Sequence, residues 1–354
     1  MKVLTIIGAR PQFIKAAIVS KTFNSKGIEE IIVHTGQHFD HNMSQVFFDE
    51  MQLPKPKYNL DINSLSHGAM TGRMIEEIEK VIIEEQPQYV MVYGDTNTTL
   101  AAAIATKKLA PKLIHIEAGL RSFNMLMPEE INRILTDRIS DLLFCPTNSA
   151  IKNLKVEGFD NFESKIVFTG DVMYDSVLYF SKYAVKPNLN ICENYILTTI
   201  HRAENTDDLN KLKNIVDALI EVAKSVPIYL VLHPRTRKIL DQHNFIISSS
   251  NLQIIEPLSY LEMIYMTMNA KLVMTDSGGL QKESFFFNKK CVVLREQTEW
   301  VELVENGYNA LAGSNFELIL EKTQMLLNSN IEFNNYFYGN GNASEIIADT
   351  LLSI

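Results

Sequence analysis

Short apolar runs rich in Val, Ile and Leu recur along the chain, separated by longer amphipathic stretches. In the first half they are Val3 to Ile7, Ile31 to Val33, Tyr89 to Tyr93, Leu113 to Ile116 and Leu142 to Cys145. Between them, Thr71 to Glu85 places Met74, Ile75, Ile78, Val81 and Ile82 near helical spacing, with acidic residues interleaved on the other side. The alternation of short runs with helical stretches predicts βαβ units and a parallel sheet.

From about Ser181 to Asn194, a stretch with Lys182, Lys186, Pro187 and several Asn residues interrupts the rhythm. It resumes at Tyr195 to Thr199 and continues through Ile228 to Val231, Leu252 to Ile254, Leu272 to Met274 and Cys291 to Leu294, with helical segments such as Leu209 to Lys224 between. The fold class expected is α/β, with two Rossmann-like doubly wound sheets. At 354 residues the chain exceeds the size at which one hydrophobic core stops growing. The expected division is residues 1–180, residues 190–335 and a terminal helical segment, 336–354, preceded by an Asn-rich loop.

A content of 46% hydrophobic and 21% charged residues excludes a disordered chain. The formal net charge of −9 argues against a nucleic-acid binder, which needs excess Lys and Arg. Of the three cysteines, Cys145, Cys192 and Cys291, two sit in apolar runs, and none suggests a disulfide framework. The N-terminal apolar run is too short for a signal peptide, and no stretch reaches the roughly 20 residues of a membrane span. The expectation is a cytoplasmic protein that binds no membrane.

In open parallel sheets, ligands bind beyond the carboxyl ends of the strands. The loop Gly8-Ala9-Arg10-Pro11-Gln12-Phe13-Ile14-Lys15 follows a strand and opens a helix, so Arg10 and Lys15 stand near a positive helix end, as an anion site or as a simple turn. Thr275-Asp276-Ser277-Gly278-Gly279 repeats the arrangement, with Ser277, Gly278 and Gly279 leaving backbone N–H groups open to a phosphate and Glu283 placed to meet ribose hydroxyls. A capped helix is the plainer alternative there. Asp95, Glu117, Glu129 and His201 stand at strand ends or in adjacent loops as candidate acid–base groups. His34, His38 and His41 are spaced four and three apart, but His34 follows a strand and Thr35-Gly36-Gln37 reads as a turn, so no metal is expected. Trp300 either packs under its loop or lines the site.

Taken together, the motifs resemble the non-hydrolysing UDP-N-acetylglucosamine 2-epimerase family. They run from Gly8-Ala9-Arg10-Pro11 through Gly36-Gln37-His38, Gly94-Asp95-Thr96, Glu117-Ala118-Gly119-Leu120-Arg121, Pro128-Glu129-Glu130-Ile131-Asn132-Arg133, His201-Arg202 and Asp276-Ser277-Gly278-Gly279 to Tyr338-Gly339. The resemblance implies the GT-B fold, with the active site in a cleft between the two domains, a homodimer, and a last helix that returns to the first domain. It implies that UDP is eliminated to leave a 2-acetamidoglucal and then re-added, in surface polysaccharide synthesis such as that of O-antigen, without a cofactor or a metal. By position, Asp95, Glu117, Glu129 and His201 match its catalytic groups. Arg10, Lys15, His201, Arg202, Ser277, Gly278, Gly279 and Glu283 match its UDP contacts.

Three segments depart from plain UDP-N-acetylglucosamine epimerases: Gly36-Gln37-His38-Phe39-Asp40, His201-Arg202-Ala203-Glu204-Asn205 and Gln297-Thr298-Glu299-Trp300-Val301-Glu302. With Arg121-Ser122-Phe123-Asn124 and His233-Pro234-Arg235-Thr236-Arg237, they look most like the branch acting on UDP-2,3-diacetamido-2,3-dideoxyglucuronate. Arg235 or Arg237 is then a candidate partner for the uronate. The early departure also argues against the allosteric UDP-sugar site that some members carry. The competing readings are a GT-B glycosyltransferase with a UDP-sugar donor, a hydrolysing epimerase and a UDP-sugar sensor.

Overall fold

A computed structural model describes residues 1–37, 48, 50–243, 245, 247, 249–333 and 336–354. The chain divides into two compact units, one formed by Met1–Tyr179 with Tyr336–Ile354 and the other by Phe180–Asn335.

The first unit is built on a parallel sheet of β1 (Lys2–Ile7), β2 (Glu29–His34), β3 (Tyr58–Asn59), β4 (Tyr89–Tyr93), β5 (Lys112–Ile116), β6 (Leu142–Cys145) and β7 (Lys165–Phe168), in the order β3-β2-β1-β4-β5-β6-β7. Its central strands are apolar on both faces because helices cover both. Leu4, Ile6, Val90 and Val92 share a buried cluster with Met74, Ile78, Val81 and Ile82 of the helix His67–Glu85. Each such side chain taken from water contributes about 1.5–3 kcal/mol.

The second unit repeats the plan with β8 (Ile196–Ile200), β9 (Ile228–Leu232), β10 (Leu252–Ile255), β11 (Leu272–Thr275), β12 (Cys291–Val293) and β13 (Asn309–Leu311), in the order β10-β9-β8-β11-β12-β13. Leu212, Ile215 and Leu219 of the helix Leu209–Ala223 pack there with Ile196, Leu230 and Leu272. Strands β3, β7 and β13 went unread in the sequence. They are edge strands of two to four residues, and β7 is half-buried or exposed throughout, so none forms a buried apolar run.

The chain comes back to the first unit through Tyr338, whose carbonyl accepts the Asp171 N–H at 2.9 Å. The buried Asp175 carboxylate then accepts the first amides of the last helix, Ala343–Leu352: Ala343 N–H at 3.0 Å and Ser344 N–H at 2.8 Å. A carboxylate at a helix N-terminus satisfies donors the helix cannot. Among the described residues, no helix is long and apolar enough to cross a membrane.

Candidate active site

In each sheet the strand order reverses direction at one place: between β1 and β4, and between β8 and β11. At such switch points the helices leave to opposite faces and open a crevice beyond the strand ends. The loops at these two places carry most of the residues singled out from sequence.

In the first unit, Gly8 and Ala9 follow β1, Gly94 and Asp95 follow β4, and Glu117 follows β5. Gln12 binds two of these loops together. Its amide oxygen accepts the Gly8 and Ala9 N–H groups at 2.8 and 3.0 Å, and its amide nitrogen donates to the Tyr93 carbonyl at 2.9 Å and the Thr96 hydroxyl at 3.0 Å. Arg10 opens the helix Arg10–Ser25, and from its second turn the buried Lys15 forms an ion pair with Glu117. Glu117 has φ +72°, a left-handed conformation that costs a non-glycine residue of order 1–3 kcal/mol. The Phe144 carbonyl holds it there by accepting the N–H groups of Glu117 and Ala118, both at 3.1 Å. Gly94 (φ +63°) lies beneath the pair, and a Cβ there would stand 3.2 Å from Glu117 Oε2.

Asp95 accepts from the Arg133 guanidinium at 2.5 Å through Oδ2, and its carbonyl accepts from the Asn132 amide at 2.8 Å. Arg133 also donates to Glu130 at 2.8 Å. That buried carboxylate further accepts the Ser122 and Phe123 N–H groups, each at 2.9 Å. Burial alone would raise the Glu130 carboxyl, but the Ser122 amide, Arg133 and the Phe123 amide bring it below its usual range. Glu130 is therefore an internal anchor, whereas its neighbour Glu129 sits half-buried in the first turn of the helix Pro128–Ile139.

Beneath these loops His115, fully buried, contacts Asp137 through Nδ1 at 2.6 Å and donates from Nε2 to the Gly94 carbonyl at 2.7 Å. Asp137 also accepts from Gly119 N–H at 3.0 Å and Arg121 at 2.7 Å. Burial pushes its carboxyl up, yet His115 and Arg121 outweigh this and leave it lowered.

In the second unit, His201 and Arg202 follow β8, and Asp276 follows β11. Asp276 is wholly buried and points inward. It accepts His201 N–H at 3.0 Å, Arg202 N–H at 2.9 Å, His201 Nδ1 at 3.1 Å and the Asn205 amide at 3.2 Å. Burial works against its charge, but the bond from His201, its charge and the two amides hold the carboxyl below its usual range.

The turn itself corrects one expectation. Ser277 N–H is not open to a phosphate, because it donates to the Thr275 hydroxyl at 2.9 Å, and the Ser277 hydroxyl faces Leu280 N–H at 3.4 Å as a helix cap. Gly278 and Gly279 form the start of the helix Gly278–Phe286, where the first N–H groups lack partners within the helix. A Cβ at Gly278 would meet the Arg202 and Glu299 side chains at 3.8 Å and the Arg295 side chain at 3.9 Å, ordinary van der Waals distances. Glu283, half-buried, lies in the second turn of this helix. Trp300 is buried and donates from Nε1 to the Gly278 carbonyl at 3.0 Å, so it packs beneath the turn.

The arginines considered for a uronate are both engaged: Arg235 with Asp207, and Arg237 with Glu256 at 2.9 Å. Of the histidine trio, His34 packs against Phe13 with the rings tilted and their centroids 5.3 Å apart, and His38 and His41 lie outside the described residues. Among the described residues, no group of three His, Cys, Asp or Glu side chains is arranged to hold a metal ion.

The sequence model of the UDP-N-acetylglucosamine 2-epimerase family matches residues 21–352. The chain is 55% identical to the UDP-2,3-diacetamido-2,3-dideoxy-D-glucuronate 2-epimerase of Pseudomonas aeruginosa, with both chains covered completely. Its fold superposes on the crystal structure of Methanocaldococcus jannaschii UDP-GlcNAc 2-epimerase in complex with UDP-GlcNAc and UDP, at a TM-score of 0.92, 42% identity and full coverage of both chains. The UDP-GlcNAc 2-epimerase of Neisseria meningitidis bound to UDP-GlcNAc gives 0.89 at 32% identity, again over both chains entire. The fold is thus the GT-B-like α/β fold of these enzymes. With the switch-point loops of both sheets carrying its motifs, the chain belongs to the UDP-N-acetylglucosamine 2-epimerase family.

Proposed function

We propose that this enzyme inverts carbon 2 of a UDP-2-acetamido sugar without hydrolysing it. The carbon-1 to oxygen bond breaks as the carbon-2 proton is removed, giving UDP and a 2-acetamidoglucal. A proton then returns to the other face of carbon 2, and the diphosphate adds back to carbon 1. The chemistry needs proton donors and acceptors beside the sugar and fixed donors for the departing diphosphate.

One observation carries the reading: two carboxylates, Asp95 and Glu117, leave the adjacent strands β4 and β5, each held by a cation, Arg133 and Lys15. A glycosyltransferase has no need of this set. In this reading Asp95, Glu117 and Glu129 handle protons. Arg10, Lys15, His201, Arg202, Gly278, Gly279 and Glu283 bind the nucleotide, with Ser277 shaping the turn. His201 also contributes to the chemistry, since Asp276 fixes its ring.

The Pseudomonas aeruginosa relative supports the diacetamidoglucuronate as the sugar, and the family resemblance implies surface polysaccharide synthesis as the pathway. A uronate carboxylate would draw Arg235 or Arg237 from its present partner. Cysteines that are all free agree with work in the cytoplasm. The family resemblance supports a homodimer.

The test is to incubate the protein with each candidate UDP-sugar in deuterated water, without acceptor, and to follow carbon 2 by NMR. Deuterium enters an epimerised UDP-sugar if the reading is right. Absence of exchange with both sugars, together with glycosylation of an added acceptor, would establish the transferase instead.

A further inference from the structure

Two successive glycines at the start of a helix let a ligand approach the backbone, but they leave no side chain to hold their peptide plane. In this chain the segment after β12 adds a restraint to the helix's own bond at the Gly278 carbonyl. Trp300 Nε1–H donates to the Gly278 carbonyl at 3.0 Å. Two residues earlier, the Thr298 hydroxyl donates to the Gln281 side-chain oxygen at 2.7 Å, so the same segment grips the same helix twice. Lys282, almost wholly buried, places its ammonium 3.9 Å from the centre of the Trp300 ring.

The Gly278 carbonyl and the Gly279 N–H belong to one peptide group. A hydrogen bond donated to its oxygen fixes the plane and polarises the group, which strengthens the N–H at the other end as a donor. That N–H lies at the helix N-terminus, among the groups without an intrahelical partner. The Lys282 ammonium over the ring face adds positive charge behind the same turn.

We propose that Trp300 is a positioning residue for the diphosphate: its indole N–H sets and polarises the Gly278–Gly279 peptide as an anion donor. The proposal rests on the reading of this turn as the diphosphate site. Trp300 acts through the peptide and does not touch the ligand.

Trp300 is the only tryptophan of the chain, so replacing tryptophan throughout with β-(3-benzothienyl)alanine alters this position alone. The analogue keeps the bicyclic shape and its face toward Lys282 but has sulfur in place of N–H. We expect the dissociation constant for UDP to rise about 1.5- to fourfold, the part of one charge-assisted hydrogen bond that polarisation supplies, with the thermal midpoint within about 2 °C of the unaltered protein. Trp300→Phe, which also lacks the donor, should weaken UDP at least as much. Unchanged UDP affinity in the analogue protein overturns the proposal, even if Trp300→Phe binds poorly, since bulk and not the N–H would then matter. A loss of affinity that comes with a large drop in midpoint overturns it too, because the role would be structural. If the unaltered protein fails to bind UDP, the reading of the site has failed, a result distinct from either.

Discussion

Asp276 accepts from the ring of His201 at 3.1 Å and from the backbone N–H of the same residue at 3.0 Å. The bond across the β8–β11 switch point fixes both the loop and the imidazole, and it leaves Nε2 as the nitrogen able to meet a ligand. Asp276 is thus the residue that builds the turn and is not itself a ligand for phosphate.

Asp276→Asn keeps the shape but puts an amide nitrogen where the carboxylate accepts from N–H groups. At least one of those donors then loses its acceptor, at about 1–3 kcal/mol. We expect a lower thermal midpoint and weaker UDP binding together, read by differential scanning calorimetry and isothermal titration.

Gly278→Ala separates fold from function. The new methyl group would meet the Arg202, Glu299 and Arg295 side chains no closer than ordinary van der Waals contact, so the midpoint should stay within about 2 °C of its original value. If the diphosphate lies against this backbone, the methyl group intrudes on it, and UDP affinity falls about tenfold or more, near 1.4 kcal/mol. Unchanged affinity would move the phosphate site elsewhere.

Glu117→Gln removes the partner of Lys15 and a candidate proton carrier. Loss of general acid–base catalysis lowers rates by about 100-fold or more. We expect carbon-2 deuterium exchange to fall by that factor while the variant still binds UDP. Intact exchange in this variant would take Glu117 off the catalytic list.

Acid should destabilise the protein through Asp137 and Asp276, whose carboxyls are lowered in the fold despite burial. A depressed folded value means stabilisation fully present above the unfolded value of about 3.9 and lost as the pH falls through the folded one. Urea unfolding between pH 7 and pH 3 should show stability falling below about pH 4. In Asp137→Asn, already less stable at pH 7, the fall should be smaller.

The central strands were legible because a strand covered on both faces must be apolar along its length, and Val3 to Ile7 or Tyr89 to Tyr93 have few other uses. The motif loops were legible because they begin where those runs stop. Partnership was not, since Lys15 meets Glu117 across 102 positions and Arg133 meets Asp95 across 38, and spacing carries no signal over such separations. Gln12 lay inside a recognised motif, yet its role as a clamp depends on which strand lies beside β1. His115 occupies a strand position where an apolar residue would be unremarkable, and Asp137 looks like an ordinary polar residue of a helix. Burial gives both their meaning, and one sequence does not record burial.

The most direct test of the account follows the bond between carbon 1 and the diphosphate. A UDP-sugar carrying oxygen-18 in that bridging position is incubated with the enzyme, and the recovered substrate and epimer are examined by phosphorus NMR. If UDP departs and returns, the label spreads into the non-bridging oxygens of the β-phosphate while carbon 2 inverts. Inversion at carbon 2 with the label still entirely bridging would show that the bond never breaks, and would contradict the mechanism.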